Sequence, residues 1–184
     1  MRTTLSILPP FIHDGTERPI SRPSDPEEQE WYYSGKKKHH TIKNIIVIDE
    51  HGRVWCLGET WEGTCHDKRA ADSESYHLPA GSTLYQDMGF QGFDIDGIVI
   101  IQPKKKPRGG KLTDAEKDEN RRINRIRVRV EHAISGIKRC RIVKDKLRLW
   151  REHMHDLVME TCCGLHNYRL RYRPWTYPSK NESG

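Results

Sequence analysis

Lys43-Asn44-Ile45-Ile46-Val47-Ile48 is followed by Asp49-Glu50-His51-Gly52 and then by Arg53-Val54-Trp55-Cys56-Leu57. A β-branched run, a turn signal and a short apolar return predict a hairpin. Its first strand is expected from about Lys36, where basic residues give way to β-branched ones. A second apolar run, Gly97 to Gln102, does not alternate and stops at Pro103. That pattern predicts a strand covered on both faces. Phe11-Ile12-His13 predicts a short strand leading into Asp14, because Pro9-Pro10 admits no regular interior strand before it. Thr83-Leu84-Tyr85 predicts a brief strand ending at Asp87. Residues 19–31 carry three prolines and several acids and read as loop.

Helical signals surround these strands. Thr113 with Glu116 forms a capping box, and Ile123, Ile126, Val130, Ala133, Ile134 and Ile137 then recur at helical spacing. Residues 153–170 predict a second helix with Met154, Leu157, Val158, Cys162, Leu165 and Tyr168 along one side. Gly63 to Asp67 precedes a short helix over Lys68 to Glu74, with Asp67 as its cap or, as the alternative, a metal ligand. The order strand, hairpin, helix, strand, strand, long helix, helix gives an α/β fold, a mixed sheet flanked by helices. The expected division is a lead-in over 1–10, a folded domain over 11–172 and a disordered tail over 173–184.

The chain has 184 residues and a formal net charge of +6, enough length for one domain with a sizeable core. The positive balance fits a polyanionic partner, chiefly nucleic acid, or serves solubility alone. No apolar run approaches the roughly 20 residues that span a bilayer, and no secretory leader opens the chain. A cytoplasmic, nucleoid-associated protein is expected. Five cysteines without zinc-ligand spacing read as reduced packing residues.

The informative residues are carboxylates. Asp14 precedes Gly15-Thr16-Glu17 and Asp87 precedes Met88-Gly89; each is a turn residue or a ligand. On the long helix, Arg127, Glu131 and Lys138 fall within ~40° of one another at about 100° per residue. They form either a solvated charged face or the rim of a site. Two strand-end aspartates and a helix glutamate have a chemical logic, since magnesium takes hard oxygen ligands. Two such ions about 4 Å apart clamp the attacking and leaving oxygens of a phosphodiester displacement. Asp94 and Asp96 read as solvated, and His66 and His132 as structural. Trp31, Trp55, Trp61 and Trp150 read as core or interface residues. The lysine runs 36–38 and 104–106 are solubilising loops or phosphate contacts.

Several of these segments together resemble one family. Asp14-Gly15-Thr16-Glu17-Arg18-Pro19-Ile20, Tyr33-Ser34-Gly35-Lys36-Lys37-Lys38 with Lys43, Gly63 to Lys68, and Tyr85 to Gly92 are similar to bacterial insertion-sequence transposases of the DDE class. So is Arg127 to Arg139. Those enzymes share a tyrosine–arginine–glutamate–lysine signature with two, three and six residues intervening. Arg127, Glu131 and Lys138 keep that spacing, while Asn124 stands in the tyrosine's place. The resemblance, over about residues 11–172, implies an RNase H-like fold and a DNA transposase core that cleaves transposon ends and joins them to target DNA. It implies Asp14, Asp87 and Glu131 as catalytic ligands of two Mg²⁺ or Mn²⁺ ions. Arg127, Lys138, Arg139, Lys36, Lys37, Lys104 and Lys105 are expected on double-stranded DNA, with a homodimer as the working form. Full-length enzymes of that family carry an N-terminal helical DNA-binding region. The start of this chain is therefore expected to correspond to a downstream reading frame or a truncated remnant. The alternatives are a fragment that only binds DNA or dimerises, and an unrelated RNase H-like nuclease such as a junction resolvase.

Overall fold

The computed structural model describes residues 8–148, 151 and 153–177. Residues 1–7 of the expected lead-in, Trp150 and residues 178–184 of the expected tail lie outside them. Along the chain run β1 (Pro10–Pro19), α1 (Pro26–Tyr32), β2 (Tyr33–Ser34), β3 (His39–Ile48), β4 (Val54–Leu57) and β5 (Trp61–Glu62). They are followed by α2 (Asp67–Asp72), β6 (Thr83–Tyr85), β7 (Val99–Ile101), α3 (Asp114–Ile137), α4 (Arg141–Lys144) and α5 (Met154–Tyr172). The strands form one mixed sheet in the order β2-β3-β1-β6-β7, with β4 and β5 on the outer edge of β3. β3 pairs antiparallel with β1 and β4, whereas β1–β6 and β6–β7 are parallel. This mixed sheet flanked by helices is compatible with the RNase H-like arrangement.

Side chains alternate across a strand, and the two faces have separate cores. Ile12, Ile46 and Ile48 meet Val130, Ala133 and Ile137 of α3, Val143 of α4, and Val158, Met159 and Cys162 of α5. Phe11, Ile45, Val47 and Leu84 face the other way, onto Ala70 and Ala71 of α2 and onto Phe90 and Phe93. The Ile45–Ile48 run is thus apolar throughout because both faces of β3 are covered. Arg18, on the α3–α5 face, is fully buried and donates to Asn44 Oδ1 at 2.7 Å, Thr60 Oγ1 at 3.1 Å and the His155 carbonyl at 3.1 Å. These bonds repay part of its desolvation and tie the start of α5 to the sheet.

The hairpin, the Thr113–Glu116 capping box and the long helix are found where expected. Other expectations are corrected. β1 does not end at His13 but runs through Asp14 to Pro19, because its second half pairs with β3 all the way to Thr41; Pro10 is tolerated as its first residue. Residues 26–32 are a helix rather than loop, with Asp25 accepting from the Glu27 and Glu28 amides and Pro26 in the first turn, where a missing N–H costs nothing. β7 is a three-residue edge strand with Val99 exposed, not a doubly covered one. On α5, Val158 and Cys162 are buried with Met159, Cys163, His166 and Leu170, but Leu157, Leu165 and Tyr168 are exposed. Trp31 and Trp55 are also more than half exposed. The start of the tail is packed: Trp175 lies against His166, and Arg129 sits 4.4 Å over the Tyr177 ring. The five cysteines are free, as expected.

Candidate functional site

The site follows from register. β1 and β6 run parallel with Ile12 beside Tyr85 as their last pair; Asp14 lies two residues further along β1 and Asp87 two residues past the end of β6, near enough for the Asp87 charge to act on Asp14. Both point to the face of Ile12, towards α3. One residue earlier, on the opposite face, His13 meets Gln86 at 3.2 Å and the Tyr76 hydroxyl at 3.1 Å. It also packs 4.2 Å from the Phe90 ring centroid. Burial pushes the His13 imidazole down to about 4, against the opposing Gln86 hydrogen bond and Asp67 charge. His13 is therefore a neutral clip between the strands that carry the two acids.

Asp14 accepts from the Gly15 amide at 2.8 Å. Its carboxyl is pushed up to about 6, first by burial and then by the nearby Asp87 and Asp67 charges, against the pull of Arg127 and the Gly15 amide. Asp87 caps the 3₁₀ turn Met88–Phe90 through the Met88 amide at 2.7 Å, and Gln102 Nε2 donates to its carbonyl at 3.0 Å. From α3, Arg127 Nη1 reaches Asp87 Oδ1 at 3.6 Å. Lys138, at the end of the same helix, donates to the Glu17 carbonyl at 2.9 Å, and burial with the nearby Lys37 charge lowers its pKa.

A cleft of 590 Å³ at the open end of the sheet is lined by Asp14, Asp67, Asp87, Lys36, Lys37 and Lys138 among others; Arg127 reaches it only through Asp87. Lys36 and Lys37 arrive on the turn between β2 and β3. Ser34 pairs with His39, and Lys38 takes a left-handed φ of 59° to close the loop.

Several expected residues are placed elsewhere. Glu131 is exposed on α3, on the helix face between Arg127 and Ile134, and is not among the groups lining the cleft. Arg139 borders a different groove, with His132, Trp175 and Tyr177. Lys104 is drawn to Glu116 at 3.3 Å and Lys105 is exposed, and neither lines the cleft. Asp67 is not a cap. His66 occupies that position without a side-chain bond, and Asp67 instead pairs with Lys43 at 2.8 Å inside the cleft. The only sequence signal for it was its place in the Gly63–Lys68 segment; the pairing with Lys43 is tertiary. Among the described residues, no three His, Cys, Asp or Glu side chains converge as a ready metal cage.

Comparison with known proteins adds a family to this geometry. Residues 13–167 match the family described as DDE superfamily endonuclease. A transposase for insertion sequence element IS702 from Microchaete diplosiphon is 32% identical over 160 residues, 86% of this chain and 56% of that protein. A transposase for insertion sequence element IS112 from Streptomyces albus G is 27% identical over 137 residues, 73% of this chain and 51% of that protein. The chain therefore spans about half the length of these relatives. No solved structure matches it.

Proposed function

The chain belongs to the DDE superfamily of endonucleases, with insertion-sequence transposases as relatives, and from that premise we propose that its cleft cuts DNA phosphodiesters and joins the freed ends to target DNA. The observation that carries the reading is the β1–β6 register, which brings Asp14 near Asp87 beneath the helix that bears Arg127, Glu131 and Lys138.

The donor set suits Mg²⁺ or Mn²⁺. Its ligands are hard carboxylate oxygens, and Asp14 is buried beside further negative charge that a cation would relieve. Asp14 and Asp87 would hold two such ions, with Glu131 completing the set from α3. When bound, the ions activate the attacking oxygen and stabilise the leaving one. The chain's own groups do the rest. Arg127 neutralises Asp87 while the cleft is empty of DNA and turns to a phosphate when DNA arrives. Lys36, Lys37 and Lys138 line the same cleft and take the backbone on either side of the scissile bond. In each step an oxygen nucleophile, water or a 3′-hydroxyl, forms a bond to phosphorus as a P–O bond breaks, so no covalent protein intermediate is required.

We place the activity on double-stranded DNA in the cytoplasm, at the nucleoid; no helix among the described residues is long and apolar enough to cross a membrane. A homodimer on DNA is supported by the apolar side chains that α5 exposes, Leu157, Leu165, Tyr168 and Tyr172. The test is magnesium-dependent nicking of a DNA bearing the ends of the chain's own element. Asp14→Asn and Asp87→Asn should each abolish it with an unchanged circular-dichroism spectrum. Full cleavage by either folded variant sinks the assignment.

A further inference from the structure

Asp67 and Lys43 come to the cleft from the face of the sheet opposite α3. Lys43 lies one residue from Asn44, which faces Arg18, so its side chain points to α2. There it is buried, and its ammonium donates to Asp67 Oδ1 at 2.8 Å and to the Cys65 carbonyl at 2.6 Å. The carboxylate so held lies between two glycines. A Cβ on Gly15 would stand 3.0 Å from Asp67 Oδ1, and one on Gly89 would stand 2.9 Å from Asp67 Oδ2. Neither glycine has a positive φ, so conformation does not call for glycine at either place; space does. Gly15 directly follows Asp14, and Gly89 lies two residues after Asp87.

We infer that Asp67, clamped by Lys43, is a positioning residue of this cleft: its carboxylate fills the gap left by Gly15 and Gly89 and fixes the separation of the segments bearing Asp14 and Asp87. The inference rests on the reading that those two acids hold a divalent cation. A salt bridge that merely joined α2 to β3 would be indifferent to the side chains at positions 15 and 89. A wedge between two ligand-bearing segments depends on both. Groups that orient metal ligands typically change metal affinity or activity by about 10- to 100-fold when removed.

The test is calorimetric titration of the full chain with Mn²⁺, alongside its metal-free unfolding midpoint. Asp14→Asn serves as the reference and should leave no measurable binding. Asp67→Asn keeps the volume and an oxygen for Lys43, and should weaken Mn²⁺ by no more than about fivefold. Asp67→Ala should weaken it by about 10- to 100-fold. Gly89→Ala should weaken it comparably, and much less so in the Asp67→Ala background, where the obstructing carboxylate is gone; that coupling is the signature of a wedge. If Asp67→Ala fails to fold, Gly89→Ala alone decides, since it leaves both members of the ion pair in place. Wild-type Mn²⁺ affinity in folded Gly89→Ala, or in folded Asp67→Ala, overturns the inference, and so does an Asp67→Asn protein as impaired as Asp14→Asn, which would make Asp67 a ligand. Unchanged binding in Asp14→Asn would instead overturn the cation reading beneath it.

Discussion

At the open end of the sheet the two faces hold charge in opposite ways. On the α2 face, Lys43 and Asp67 form a closed pair: the ammonium is buried, at 2.8 Å from the carboxylate and 2.6 Å from a carbonyl. On the α3 face the contacts are looser. Arg127 stands 3.6 Å from Asp87, longer than a hydrogen bond. Lys138 is satisfied by a backbone carbonyl rather than a carboxylate, and Glu131 is exposed. The difference teaches how such a site divides its work. On the proposed reading, groups that exchange partners for an incoming phosphate are left partly uncommitted, whereas those that hold the frame are committed fully. If that division is right, substitutions of the exchanging groups on the α3 face act on metal and DNA directly, whereas those on the α2 face act on stability and reach metal affinity only through the position of Asp14 and Asp87.

The largest expected effect is on the α3 face. Glu131→Gln should abolish detectable cleavage, as loss of a ligand to the catalytic ions would, while DNA binding measured in calcium survives or strengthens. Lys138→Ala should weaken DNA binding and cleavage but leave Mn²⁺ affinity unchanged or slightly improved, because a positive neighbour has been removed. If Lys138→Ala loses metal as badly as Glu131→Gln, with the fold intact, the face is an ion-pair network and not a divided site.

The next effect belongs to the α2 face and is one of stability. Lys43→Met leaves the Asp67 carboxylate without its partner. A broken buried pair costs roughly 3–5 kcal/mol, and the 31% exposure of the Asp67 side chain places this one near roughly 2–3 kcal/mol. Lys138→Met should cost less, about 1 kcal/mol, since the lost charge-assisted bond to the Glu17 carbonyl is offset by relief of the ammonium's desolvation. Urea denaturation of the metal-free proteins measures both, and equal losses would erase the contrast.

A third prediction concerns Asp14, on the α3 face of β1. Its folded-state pKa is raised from 3.8 to about 6 by burial and neighbouring charge. Below the unfolded value the group is protonated in both states and has no effect. As pH rises through the folded value, the unfolded chain gains by ionising, so metal-free stability falls. Asp14→Asn should therefore raise the metal-free melting temperature at pH 7.5 and leave it unchanged at pH 3.5. At about 1.4 kcal/mol per unit, the ceiling of the gain is roughly 3 kcal/mol. A gain at pH 3.5 as large as that at pH 7.5 would show that the stabilisation is not electrostatic.

How much of this was legible in the sequence depends on how local each signal is. The hairpin, the capping box and the α3 stripe are written in adjacent residues, and all three are found. The start of α1 is equally local, with Asp25 before Pro26 and two glutamates, but the prolines around it mask the helix. The stripe expected on α5 fails because that helix has apolar residues on two sides, and periodicity alone does not say which side meets the sheet. Asp14 and Asp87 stand out by their glycine neighbours, yet that they come near each other follows only from the parallel pairing of β1 with β6. The role of Asp67 was the least legible. Its partner sits on β3, and its carboxylate lies in the space beside Gly15 and Gly89, which a chain reading takes for ordinary turn glycines.

The smallest effect separates cleft cations from the rest of the positive surface. Lys36 and Lys37 line the cleft, whereas Arg139 borders another groove and Lys104 is engaged by Glu116. Net charge treats all of these alike; placement does not. Each phosphate contact releases condensed counterion, so the slope of log affinity against log salt changes by about 0.9 per contact on duplex DNA. Lys36→Ala and Lys37→Ala should each reduce the slope by roughly one unit and weaken binding to matched and scrambled duplexes alike, since phosphates carry no sequence. Arg139→Ala, Lys104→Ala and Lys105→Ala should leave the slope within error, although each removes the same charge from the chain. A filter-binding series across salt concentrations distinguishes the two sets. A reduction of one unit for Arg139→Ala would mean that DNA also tracks the groove beside Trp175 and Tyr177. The α3 helix would then contact it on two sides, and the division between an exchanging face and a holding face would have to be redrawn around that helix.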